Sequence, residues 1–207
     1  MTLAQLQRRV ESGVQRDDLD YAALINDALR EIMQRRSWNA MRQVDEVVIL
    51  KGNTSVALPG DFKEFTNTRP PVHQKSDAGT LLECDVWTRE KVIRRNQHTV
   101  LKPLTGLQVY LDWQDGVPTL NLNDAPSEDV TFVISYFAYL PPLSDDADQN
   151  LLTRDYAEMV IAKAKALAFE AVNDPIAVDF ESLFETKFKS ARATDSYAAV
   201  AGTELRM

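Results

Sequence analysis

Residues Ile134 to Asp174 read ISYFAYLPPLSDDADQNLLTRDYAEMVIAKAKALAFEAVND, and the spacing of the apolar side chains changes within them. In DVTFVISYF, which leads into this stretch, Val130, Phe132, Ile134 and Tyr136 fall on one side of a strand. From Leu152 onward the pattern is helical. Alanine stands at 157, 162, 164, 166, 168 and 171, and such small side chains let helices approach closely. Ser144 to Asn150, SDDADQN, separates the two patterns. Asp146, Asp148 and Asn150 alternate as the first ligands of a calcium loop do. Such a loop also needs glycine at its sixth position and a bidentate glutamate at its twelfth. Counted from Asp146, those positions hold Leu151 and Ala157, and both requirements fail. The stretch therefore reads as a polar helix entrance, with its carboxylates beside the positive end of the helix dipole.

Toward the C-terminus, Asn173-Asp174-Pro175 stops this helix and starts another, with Asp174 as N-cap and Pro175 in the first turn. Phe180, Phe184 and Phe188 then form one aromatic stripe. From Thr194 the pattern dissolves into TDSYAAVAGTELRM, which has too little apolar surface to pack alone, so a flexible tail is expected over residues 194–207. Toward the N-terminus, TLAQLQRRV forms a short helix with Thr2 as cap, broken by Gly13 and the polar run after it. A second helix follows from about Leu19 to Arg36, and Trp38 anchors its end. Between these helical ends the period is two. VVILKGNTSVALP predicts a hairpin of residues 44–50 and 54–58 around Gly52-Asn53. LQVYLDW places Leu107, Val109, Leu111 and Trp113 on one face, before a turn at Asp115-Gly116. WTREKVIRRNQ reads as a short helix capped by Thr88 within the loop region 69–99. The expected fold is α+β. Residues 1–42 and 151–193 form a helical bundle, and a β-rich module of five or six strands, residues 43–150, is inserted between its halves.

The chemistry of the chain excludes several classes. The chain has 207 residues, 44% of them hydrophobic and 26% charged, the proportions of an ordinary globular protein. A net charge of -8 opposes general nucleic-acid binding, which relies on cations that neutralise phosphates. Residues 43–150 hold most of the excess, with 9 basic and 16 acidic side chains. The lone Cys84 cannot form an internal disulfide, so a reducing compartment is expected. No run of about 18 apolar residues predicts a membrane span, and MTLAQLQRRVESGVQ lacks the apolar stretch of a signal peptide. His73 and His98 lie in polar loop contexts without zinc-ligand spacing. The seven glycines form no phosphate loop, and no nucleophile motif stands out. Glu83 and Asp85 are the clustered acids on which a hydrolase reading would rest. The residues themselves lead to a binding or assembly protein, with no enzymatic activity, cofactor or metal expected.

Three motifs in order go further. INDALREIMQRRSW (Ile25 to Trp38), VALPGDFKEF (Val56 to Phe65) and the stretch from Ile134 to Asp174 closely resemble the head-to-tail adaptor (connector, or neck) proteins of tailed bacteriophages. The resemblance covers residues 3–190, and the region 69–99 departs from the pattern. It implies a homo-oligomeric ring of twelve copies in the virion neck, made in the host cytoplasm. The ring would join the portal protein to a tail or nozzle protein and continue a channel through which DNA passes without specific binding. It also implies that the C-terminal region grips the portal, which makes Tyr197, Val200 and Leu205 the candidate contact residues. The alternatives are a tail-completion or terminator protein of the neck and a non-viral soluble protein-binding module.

Overall fold

A computed structural model describes residues 1–67, 70–76, 78–88, 90 and 108–204, with side chains described as far as Ser196. The chain divides into two compact units, residues 1–40 with 140–207, and residues 41–139.

The first unit is helical. Helix α1 (Leu3–Val14) is closed at its start by a reciprocal capping box, in which Thr2 accepts from the Gln5 N–H and Gln5 returns a bond to the Thr2 N–H. It ends at Gln15, left-handed at φ 55°, and not at Gly13 as the sequence suggests. Gly13 is helical and lies close to the end of the Lys165 side chain: a Cβ there would stand 2.3 Å from Nζ, a contact that the flexible lysine can relieve. Helix α2 (Tyr21–Arg35) is capped by Asp20, whose carboxylate accepts from the Ala23 N–H at 3.0 Å. The alanine-rich region is two helices, α3 (Leu151–Asp155) and α4 (Ala157–Ala171), broken at Tyr156. The break turns the Tyr156 ring onto Trp38, 5.3 Å between centroids. Asp174 accepts from the Ile176 N–H at 3.0 Å, and α5 (Ala177–Glu204) begins one residue later. Helix α4 packs on both α2 and α5.

The second unit is a single mixed sheet of eight strands: β1 (Arg42–Ile49), β2 (Ser55–Ala57), β3 (Phe62–Phe65), β4 (Val72–Lys75), β5 (Leu81–Thr88), β6 (Gln108–Gln114), β7 (Val117–Leu122) and β8 (Val130–Ala138). Its order is β1-β8-β4-β5-β6-β7-β2, with β3 also on β8, and β5 and β6 are its parallel pair. The end strands β1 and β2 approach each other, so the sheet is nearly closed and barrel-like. Strand β8 organises it. Phe132, Ile134 and Tyr136 point inward at the register positions of Val47 on β1 and Val72 on β4, and the core fills with Ile49, Leu58, Phe62, Val109 and Leu120.

This corrects the expected fold class. The β part is not a module of five or six strands inserted into a helical bundle. It is an eight-stranded, nearly closed sheet that forms a compact unit of its own. The short strands β3 and β4 escape a periodicity reading because only Phe62 and Val72 are fully buried on them. They exist because β8 supplies a ladder for both. The helix expected in WTREKVIRRNQ lies outside the described residues after Glu90, as does His98, while Trp87 and Thr88 belong to β5.

Candidate interaction site on the last helix

Acidic stretch SDDADQN serves the backbone. The Asp148 carboxylate accepts from the N–H groups of Ser144 at 2.8 Å and Asp145 at 2.9 Å, and these two bonds hold its pKa below the usual carboxylate value. The carbonyls of Asp148 and Asp146 accept from the N–H groups of Leu3 (2.8 Å) and Ala4 (3.1 Å), two of the donors that a helix start leaves open. Asn150 opens α3 in a reciprocal box with Thr153. Just upstream, the Asn26 side-chain amide pairs with the Leu143 backbone through two bonds, at 2.8 and 2.9 Å. Among the described residues no group of three His, Cys, Asp or Glu side chains converges as a metal site. Glu83 and Asp85 are exposed on β5, with Glu83 opposite His73 of β4. Cys84 is buried, and burial pushes its thiol pKa up.

Helix α5 is the element on which an interaction surface can be built. It has 28 residues, a length of about 42 Å at 1.5 Å per residue. Its first half is fixed by rings and charges. Phe180 stacks on Phe169, Phe184 is fully buried, and Phe188 meets Trp38 edge to face. Arg35 lies over the Phe184 and Phe188 rings and pairs with Glu185 at 2.6 Å. Lys163 of α4, only 7% exposed, bridges Glu31 of α2 at 2.8 Å and Glu181 of α5 at 3.1 Å. Burial pulls its pKa down, and the two carboxylates more than offset that, so it ends above the ordinary lysine value.

Asp195 makes the last clamp. It is 3% exposed and accepts from Arg36 Nη2 and from the Asn39 N–H, each at 3.1 Å. The Asn39 side chain donates to the Asp195 carbonyl at 2.6 Å, and Arg36 also reaches Ser196 Oγ at 3.0 Å. Burial and then the charge of Asp195 raise the Tyr156 phenol pKa. Beyond the clamp, α5 continues to Glu204, so residues assigned by sequence to a tail are helical there. Tyr197 and Val200 lie on this extension, with side chains outside the described residues; Leu205 lies outside them altogether.

Sequence reasoning missed Lys163 and Asp195. A lysine inside AKAKALAF was the one legible signal for the first. Asp195 had none, because its partners Arg36 and Asn39 are more than 150 residues away.

Among the described residues no helix is long and apolar enough to cross a membrane. The family model described as SU10 adaptor protein matches residues 1–204. No curated protein matches the chain.

Proposed function

This chain belongs to the SU10 adaptor protein family, and from that premise we propose that it forms a ring between the portal and the tail of a bacteriophage and continues the path of the exiting DNA. The observation that carries the reading is the match over residues 1–204, which spans both units. The chain is a phage adaptor protein; the ring, its twelve copies, the portal and tail contacts and the place in the virion neck are the proposal. The net charge of -8 supports a channel role, because carboxylates repel phosphate and let DNA slide without sticking. In this reading no reaction is catalysed and no cofactor is held.

The portal contact belongs to the end of α5. Asp195 fixes the helix to its own unit, and the turns after it extend toward a partner, with Tyr197, Val200 and Leu205 as the apolar contacts. Deleting residues 197–207 leaves the Asp195 clamp intact. The truncated protein is expected to fold with an unchanged melting temperature and to lose co-sedimentation with purified portal. Undiminished portal binding by the truncated chain would place the contact elsewhere.

A further inference from the structure

The apolar face of the β6–β7 hairpin outruns the core to which it belongs. Val109 pairs with Leu122 and Leu111 with Leu120 inside that core, and the next pair outward is Trp113 with Pro118. Trp113 is 55% exposed, and Val117, on the other face of the tip, is exposed as well. The turn is Asp115-Gly116, both at positive φ (51° and 81°), the tight connection that matches strand twist and keeps a hairpin stiff. Neither strand carries a lysine or arginine, and Asp115 is exposed at the apex. The result is a stiff knob with an indole and a carboxylate at its end. Tryptophan is the side chain most enriched at energetic centres of interfaces, and its burial removes roughly 150–250 Å² from water.

The helical unit offers a hollow of suitable size. Where α3 breaks into α4, an open groove of about 420 Å³ runs between the break and α5, lined by Tyr156 and Ala157, the cations Arg154 and Lys187, and the acids Asp155 and Glu158; Glu158 is paired with Arg9. Arg154 is held by Asp155. Lys187 is exposed and has no ion-pair partner among the described residues. Between Glu185 and Asp195, α5 carries Lys187, Lys189 and Arg192 and no acid.

We propose that the β6–β7 tip of one copy docks in this groove of a second copy, with Trp113 against the half-buried Tyr156 and Ala157 and Asp115 against Lys187. The proposal rests on the ring reading and gives that ring a contact. Knob and groove are different surfaces of one chain, so the contact is head-to-tail, the kind that closes into a ring when the rotation allows. DNA does not fit the knob, since the hairpin's charged side chains are all acidic.

The test is a concentration series of the full chain by sedimentation velocity, alone and on purified portal. Trp113→Ala and Lys187→Glu are each expected to weaken association at least tenfold without moving the melting temperature. Cys84 is buried and is the chain's single cysteine, so engineered thiols report cleanly. A Val117→Cys copy mixed with a Ser190→Cys copy is expected to join through a short bis-maleimide faster than either joins itself. Oligomers indifferent to both substitutions would overturn this contact and leave the ring reading standing. A chain that stays monomeric and uncrosslinked in both settings would overturn both.

Discussion

Tyr136 lies in the core of the β unit, with its hydroxyl donating to Asp61 at 3.3 Å and its ring stacked on Phe62. Burial, and then the Asp61 charge, push its pKa up to about 12. A phenol that resists ionisation when folded contributes stability in full below its unfolded value near 10, and that stability is lost as pH rises through the folded value. A shift of this size corresponds to about 2–3 kcal/mol. The expected outcome is an alkaline loss of stability between about pH 10 and 12 that is smaller in Tyr136→Phe, measured by denaturant unfolding across that range. An unchanged alkaline limb in the variant would contradict the assignment. Lys163 is also raised, so its contribution is full below about 10.5 and lost above the folded value. Lys163→Met leaves Glu31 and Glu181 facing each other without their cation, and a loss of about 2–3 kcal/mol is expected at neutral pH. Glu31→Gln, which keeps a hydrogen-bonding partner for the ammonium, is expected to cost less. A negligible loss in Lys163→Met, which keeps an unbranched apolar stem, would show that the lysine acts through its methylenes alone.

Helix ends explain much of what the sequence made legible and much of what it hid. Thr2 and Asp174, read as caps from the sequence, bond to N–H groups at helix starts, and Asp20 and Asn150, not read as caps, obey the same local rule. SDDADQN lacks the glycine and glutamate of a calcium loop at its sixth and twelfth positions. Its work at the start of α1 could not be read, because Leu3 and Ala4 lie more than 140 residues away. The break at Tyr156 was hidden for a related reason: it follows from packing on Trp38, not from a glycine or proline. Asp148→Ala removes the acceptor of two N–H groups and loosens the carbonyls that hold α1. It is expected to lower the melting temperature of the helical unit, in the way the loss of a helix cap does. The check is thermal unfolding followed by circular dichroism with and without millimolar calcium. A calcium-dependent rise in melting temperature, absent in Asp148→Ala, would contradict the capping role.

Two units of different period build this chain, and the sequence showed both periods better than their arrangement. The alternation in Val130 to Tyr136 and in Val109 to Trp113 marked β8 and β6, and Asp115-Gly116 marked the turn between β6 and β7. The closure of the sheet was not legible, since it depends on β8 pairing with β1, β3 and β4 across gaps of up to 95 residues, that between Arg42 and Phe137. The sequence pointed to a C-terminal contact region only through the family resemblance, and the Asp195 clamp was not legible at all, because it is a tertiary fact. As proposed, this adaptor protein closes into a ring on the portal. The most direct test is mass measurement and electron imaging of the purified full chain mixed with purified portal. The expected outcome is one ring of the chain seated on each portal, coaxial with its channel and present in twelve copies. Free monomers beside bare portals, or copies scattered on the portal without a closed ring, would contradict it.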